Sequence, residues 1–145
     1  MDEVREYLES YRGLRFDVAR LKRKVAETKA RCESTTRACS GMPGGGGGDK
    51  HQDNALIAYA DVLDSYREKL AEAESRVLEI EQFVEDIPVT THRMILLLRY
   101  IDLLSWTQVQ DTLAETGKNY SARHILRIHG AALRSARKLW EERHG

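Results

Sequence analysis

The chain of 145 residues has few of the residues that break helices or cross-link chains. It has two prolines, and six of its ten glycines fall at positions 41–48. Cys32 and Cys39 are too widely spaced for a C-x-x-C zinc or redox motif, and they do not suggest a secreted disulfide scaffold. No apolar run approaches the ~18 residues of a membrane span, and the opening MDEVREYLESYR lacks a basic segment followed by an apolar one. We therefore expect neither a signal peptide nor a membrane partner, and a reducing cytoplasm as the location.

Two long stretches repeat apolar residues at spacings of three and four, which is typical of a coiled-coil seam. The first seam consists of Val4, Tyr7, Tyr11, Leu14, Val18, Leu21 and Val25, continued by Thr28 and Cys32. The second consists of Leu56, Tyr59, Leu63, Tyr66, Leu70, Ala73, Val77, Ile80, Val84 and Ile87. Between them, Pro43 and five consecutive glycines cannot sustain a helix and predict a flexible loop at 40–50. Residues 1–88 are therefore predicted to form a long antiparallel helical hairpin, in which the seams bury each other or a second copy.

Residues 89–145 contain start and stop signals for three further helices. Thr90 or Thr91 is the expected N-cap of a helix at about 91–101. Ser105 and Gln108 form a capping box for the next helix, which Gly117 ends.

The last helix is expected to start after Ser121 and to run from Ala122 to about Trp140. Its predicted buried face consists of Ile125, Ile128, Ala132, Ala136 and Leu139. Three helices with a turn between the last two are the parts of a helix-turn-helix. The predicted fold is therefore all-α, with the hairpin at 1–88 followed by a helix-turn-helix domain at 89–145.

The charges are unevenly distributed, although the chain has 23 basic and 23 acidic residues. Between Thr116 and Trp140 there is no acidic residue, and the basic ones are Lys118, Arg123, Arg127, Arg134, Arg137 and Lys138. At about 100° per residue, four of them share the helix face opposite Ile125, namely Arg123, Arg127, Arg134 and Lys138. Solvated helix faces usually interleave the two signs, so a stripe of one sign indicates contact with phosphates.

Duplex DNA is the expected partner, because a single exposed helix fits the major groove of B-form DNA and not the narrow one of A-form RNA. The residues expected to meet base edges are Ala122, Arg123, His124 and Arg127. Those expected to lie along phosphates are Arg134, Arg137 and Lys138, with Lys118 and Asn119 in the turn also reaching the backbone. Gly130 leaves a gap in the stripe that would let the helix approach another backbone closely.

The segments LLRYIDLLSWTQVQDTL and YSARHILRIHGAAL resemble region 4 of bacterial sigma factors and, more closely, small sigma-like transcriptional regulators of phages and prophages. The matching positions are Leu97, Arg99, Tyr100, Ser105, Trp106, Val109, Tyr120, Ser121, Ile125, Arg127, Ile128, His129, Ala132 and Leu133. Gln110 replaces the small alanine usual in that family, and the turn at 114–120 is longer than the family's. The resemblance implies a promoter-binding or polymerase-associated regulator in a bacterial host cell, with RNA polymerase as a further partner.

Other chemistry has little support in the sequence. The glycine run lacks G-K-[ST], and His124 and His129 are five apart with no further ligand nearby, so we expect no metal, no cofactor and no enzymatic activity. His129 is expected to be a hydrogen-bonded core histidine. Two other hypotheses stay open beside the regulator: a coiled-coil interaction or assembly protein that does not bind DNA, and a phage DNA-packaging adaptor. The sequence leaves open whether the chain forms a homodimer.

Overall fold

The computed structural model describes residues 2–40 and 49–145, with the side chains of all of these except 36–40 and 49–53. Over these ranges the protein is all-helical and has no strand, as predicted. The helices are α1 (Glu3–Ser40), α2 (Asp49–Glu85), α3 (Thr90–Leu96), α4 (Trp106–Glu115) and α5 (Ala122–His144), and a π-helical segment (Leu97–Ile101) continues α3. Residues 41–48 of the predicted glycine-rich loop, and the side chain of Cys39, lie outside the described residues. In the part that is described, no helix combines the length and hydropathy needed to cross a bilayer.

The long helices α1 and α2 pack against each other, as predicted. Most of their buried residues belong to the predicted seams, and Leu8 and Phe83 are buried in addition. The buried residues of α1 are Val4, Leu8, Tyr11, Val18, Leu21 and Thr28, and those of α2 are Leu63, Ala73, Val77, Ile80, Phe83 and Val84. The Tyr11 hydroxyl donates a hydrogen bond to Glu81, which pairs the start of α1 with the end of α2. The two helices are therefore antiparallel there.

The described chain forms two compact units, of which one contains Met1–Arg15 and Arg76–Gly145 and the other contains Phe16–Ser75. These units divide α1 and α2 themselves, whereas the boundary predicted at residue 88 falls after α2. An aromatic cluster joins the three helices of the first unit. The rings of Tyr7 and Phe83 lie 4.8 and 6.1 Å from the ring of Trp140, centroid to centroid, so the start of α1 and the end of α2 pack on α5.

Helix α3 begins without a threonine cap. Its N-cap is Val89, and no side chain accepts a hydrogen bond from the first turn, so the prediction that Thr90 or Thr91 caps this helix is wrong. The side chain of Arg93 ties the helix start to the preceding segment instead: Nη1 donates to the Ile87 carbonyl oxygen over 2.8 Å. Thr90 is then free to take the first helical position.

The middle of the predicted helix at 91–101 is buried and changes its winding. Ile95 and Leu96 are completely buried, as the apolar run from Met94 to Leu98 predicts. After Leu96 the backbone widens, and the Asp102 N–H donates to the Leu97 carbonyl oxygen five residues earlier, over 2.8 Å. The π-helical turn carries Arg99, whose guanidinium contacts the Leu104 carbonyl oxygen and the Trp106 ring, and Tyr100, whose hydroxyl contacts His129 of α5.

His129 of α5 is the buried histidine that the sequence predicts, with 9% of its surface exposed. Its Nε2 is hydrogen-bonded to the Tyr100 hydroxyl at 2.8 Å, and the ring of Trp106 packs edge-on against it at 4.8 Å. Burial, together with the smaller effects of the nearby charges of Arg5 and Arg99, lowers the pKa of His129 to about 4. His129 therefore stays uncharged at neutral pH.

We expect the free energy of unfolding to decrease as the pH falls from about 6.5, the ordinary histidine pKa, toward the folded pKa of about 4. In this window the unfolded chain binds a proton at His129 that the folded chain excludes. The contribution of uncharged His129 to the free energy of unfolding is fully present above pH 6.5. About 2 kcal/mol of this contribution is lost between pH 7 and pH 5. Urea unfolding followed by tryptophan fluorescence at both pH values measures the loss. His129→Gln should be less sensitive to pH by that amount, and an equal loss in both proteins would assign the effect to other groups.

Candidate nucleic-acid interface

The ends of α4 are formed by local hydrogen bonds that the sequence predicts. Ser105 Oγ accepts from the Gln108 N–H, and Gln108 Oε1 accepts from the Ser105 N–H, which confirms the capping box. At the other end Gly117 has φ 89°, in the left-handed region that glycine tolerates best. The Lys118 N–H donates to the Leu113 carbonyl oxygen over 2.9 Å, a Schellman arrangement.

The connection from α4 to α5 comprises residues 116–121, so part of the long spacing seen in the sequence is helix. Gln110 stands where the resembling family has alanine, and its Nε2 donates to the Tyr120 carbonyl oxygen over 3.1 Å. This bond holds the turn against α4. Ser121 Oγ accepts from the His124 N–H over 3.1 Å, which confirms Ser121 as the N-cap of α5.

The buried face of α5 is rotated slightly from the predicted one. Three of the predicted residues are buried, but Ile128 and Leu139 are only half-buried. His129 and Leu133 are buried in their place. The three residues that are buried as predicted are Ile125, Ala132 and Ala136. The rotation brings His129 against Tyr100 and Trp106, contacts between elements that helical periodicity does not reveal.

The cationic stripe predicted on α5 faces outward. Its four members are exposed, and none makes an ion pair with any residue that the structure describes: Arg123, Arg127, Arg134 and Lys138. Three other predicted contact residues are also exposed, namely Asn119, Ala122 and His124. The His124 ring packs edge-on against Tyr120 at 4.9 Å, which limits the directions its ring takes.

Two of the predicted contact residues are engaged with the protein itself. Lys118 is half-buried, and its Nζ lies 3.5 Å from Thr91 Oγ1 and 3.8 Å from Met94 Sδ. Arg137, predicted to lie along phosphates, is paired within the protein: its Nη2 donates to Asp2 Oδ2 over 3.0 Å, from a segment outside the acid-free stretch between Thr116 and Trp140. The sequence could not show this pair, because its partners are 135 positions apart.

Acidic side chains from other segments pair with two arginines of α5, Arg137 and Arg143. Beyond the Arg137 pair, Arg143 donates to Asp86, and this hydrogen bond lowers the pKa of the Asp86 carboxyl. Glu141 and Glu142 follow on α5 itself. The uncompensated positive charge is therefore concentrated between Arg123 and Lys138.

Two further positions on α5 shape this surface. Leu126 is 53% exposed beside the arginines, and the sequence analysis did not select it. Its signal is that it lies outside the apolar periodicity of the helix, about 100° from Ile125. A Cβ added at Gly130 would meet only Arg134 Nη1, at 3.8 Å, so packing within the protein does not require glycine there.

Comparison with models of known protein families, with curated proteins and with solved structures finds no match for this chain.

Proposed function

We propose that the protein is a sequence-specific, duplex-DNA-binding transcriptional regulator in which α4, the turn and α5 act as a sigma-region-4-like helix-turn-helix. The observation that carries the proposal is the outward-facing stripe of Arg123, Arg127, Arg134 and Lys138, uncompensated among the described residues. An uncompensated stripe of one sign on an exposed helix attracts a polyanion and releases its counterions.

The length of the stripe favours a division of roles along α5. Arg123 and Lys138 are separated by about 22 Å along the helix axis, at 1.5 Å per residue. The major groove of B-form DNA is only about 12 Å wide, so a helix whose first turns enter it must cross a phosphate strand further along. Arg123 and Arg127 would then read base edges, and Arg134 and Lys138 would bind phosphates.

Exposed, uncharged groups complete the proposed reading surface. Leu126 offers an apolar contact for a thymine methyl group, while Ala122 leaves room for the bases near the amino terminus of α5. Lys118 and Arg137 contribute less to DNA binding than the sequence suggests, because the Lys118 amino group already contacts Thr91 and the Arg137 guanidinium already contacts Asp2.

We expect the affinity for DNA to depend on salt as four phosphate contacts require. Four cations correspond to a slope of log K against log salt between about −3 and −4, whereas all six would give about −5. Fluorescence anisotropy of a labelled duplex from about 50 to 300 mM potassium chloride measures the slope. A value near zero would contradict phosphate binding, and a value near −5 would mean that Lys118 and Arg137 leave their partners in the complex.

Sequence specificity requires its own experiment. Fragments bound by the full chain are selected from a random duplex library at two salt concentrations and sequenced. A motif that is enriched more strongly at the higher salt supports base reading, since raised salt weakens the phosphate contacts that all sequences share. Binding without enrichment at either salt would reduce the protein to a non-specific DNA binder, and the absence of binding would leave the assembly-protein hypothesis.

The long hairpin is proposed as the site of protein contact, either with a second copy or with RNA polymerase. Within the unit Phe16–Ser75, the side chains of Phe16 and Ile57 are 65% and 59% exposed. A protein partner that covers these side chains would remove their apolar surface from water. Light scattering of the full chain distinguishes a monomer, a dimer and the ring-sized oligomers expected of a packaging adaptor.

A further inference from the structure

A cleft of about 320 Å³ opens in the unit that contains both chain ends, away from the cationic stripe of α5. The first turns of α1 form one wall, and the π-helical segment with the residues up to Trp106 forms the other. The apolar part of the lining comes from leucines and from the rings of Tyr100 and Trp106. A volume of this size lies at the lower end of the range for small-molecule sites, roughly 300–1,000 Å³.

Three guanidinium groups line the cleft, and a single carboxylate accompanies them. Arg5 is paired with that carboxylate, its Nε donating to Glu9 Oε1 over 3.0 Å. Arg99 donates to the Leu104 carbonyl oxygen over 2.9 Å and lies 4.5 Å from the centre of the Trp106 ring. Arg12 is exposed and makes no ion pair within the described part of the chain. The cleft is therefore cationic, with one guanidinium available to a ligand.

The backbone of the second wall is unusual at the same place. The π-helical turn carries Arg99 and Tyr100, and π-turns inserted in helices often occur at functional sites. Leu103, in the cleft lining, has φ 58°, a left-handed conformation that is unfavourable for a residue with a branched side chain. His129, also in the lining, stays uncharged because burial lowers its pKa to about 4, so it does not add to the positive charge of the cleft.

We propose that this cleft binds a small aromatic carboxylate, with the carboxylate on Arg12 and the ring against Trp106 and Leu103. A guanidinium presents paired N–H donors that match the two oxygens of a carboxylate. The Trp106 ring and the leucine side chains provide an apolar surface on which a planar ring is removed from water. A larger anion would exceed the volume, and a cation would meet three guanidinium groups.

The probe for this proposal is benzoate, titrated into the ¹⁵N-labelled full chain without DNA. We expect the indole N–H signal of Trp106 to shift in a saturable way, with a Kd of about 1 mM for a ligand of nine heavy atoms. The indole signal of Trp140, which lies outside this cleft, should stay in place. No saturable shift up to about 50 mM benzoate would overturn the proposal.

Two further ligands and two variants separate the contributions of the carboxylate, the aromatic ring and Arg12 to binding. Neutral benzamide should bind about tenfold more weakly, because it lacks the charge-assisted hydrogen bonds to Arg12. Acetate, which has no ring, should leave the Trp106 signal in place at the same concentrations.

Arg12→Gln should weaken benzoate binding by about tenfold, whereas Arg123→Gln, an equal change on the exposed face of α5, should not. Equal binding of benzoate and benzamide, equal shifts with acetate, or equal effects of the two variants would each refute a built carboxylate site. Because no DNA is present, failure here is separate from failure of the proposed function.

Discussion

Replacing Arg127 and Arg134 together by glutamate is expected to weaken DNA binding by about 100-fold or more at roughly 0.1 M salt. Each substitution removes one favourable contact with the duplex and places a negative charge close to a phosphate. Both side chains are exposed and lack ion-pair partners among the described residues, so the free energy of unfolding should change by less than about 0.5 kcal/mol. Anisotropy titrations and urea unfolding of the same preparation measure the two quantities.

The matched control for this pair lies on α2. Arg67 and Lys69 are also exposed, and their replacement by glutamate changes the net charge by the same amount. The control should bind DNA within about threefold of the unchanged protein, because neither residue belongs to the helix proposed to contact DNA and salt screening weakens the effect of net charge alone. If it loses as much affinity as the Arg127 and Arg134 variant, net charge alone governs binding, and the assignment of α5 as the DNA-binding helix is refuted.

The features that the sequence predicts best are those set by hydrogen bonds between near neighbours. Ser105 with Gln108, Gly117 and Ser121 each act within four residues, and the structure confirms all three helix boundaries. The seams of α1 and α2 are predictable for a related reason: helical geometry alone places residues three and four apart on one face. The exposed stripe follows from the same geometry, once the buried face of α5 is known.

The features that the sequence does not reveal depend on contacts between distant segments. At the start of α3 the separation is modest: Arg93 donates to the Ile87 carbonyl oxygen six residues earlier, outside the four-residue reach of a capping motif, and no threonine cap forms. By contrast, Asp2 compensates Arg137 across the whole length of the chain. The Arg137 pair narrows the candidate site, since it removes one of the six predicted cations from those available to DNA.

Helical periodicity also fails to predict which residues of a helix are most buried when a side chain packs between neighbouring elements. His129 appears on the edge of the predicted apolar face of α5, yet its contacts with Tyr100 and Trp106 bring it to the centre. The wider π-helical turn that positions Tyr100 has no recognisable sequence signal. The buried face of α5 is rotated only slightly from the predicted one, and for this reason the stripe at Arg123, Arg127 and Arg134 remains exposed as predicted.

The same substitution at two leucines should separate the structural role of the last two helices from their proposed role in binding. Leu113 of α4 is fully buried, whereas Leu126 of α5 is 53% exposed. Leu113→Ala leaves a cavity and should lower the free energy of unfolding by about 3 kcal/mol. Leu126→Ala removes little buried surface and should change it by less than about 0.5 kcal/mol. Both tryptophans lie in the unit that contains these leucines, so urea unfolding followed by their fluorescence reports both losses.

The affinity for DNA should depend on Leu126 more than on Leu113, the reverse of their effects on the free energy of unfolding. Leu126→Ala removes an apolar group from the surface proposed to enter the major groove, and we expect it to weaken binding to the selected site by about fivefold while leaving random duplex DNA unaffected. Leu113→Ala should keep its affinity under conditions where it stays folded, because its side chain does not reach the surface of α4. An unchanged affinity of Leu126→Ala for the selected site would mean that the first turns of α5 do not face the bases. The cations of the stripe would then bind phosphates only, and the protein would bind DNA without reading its sequence through this helix.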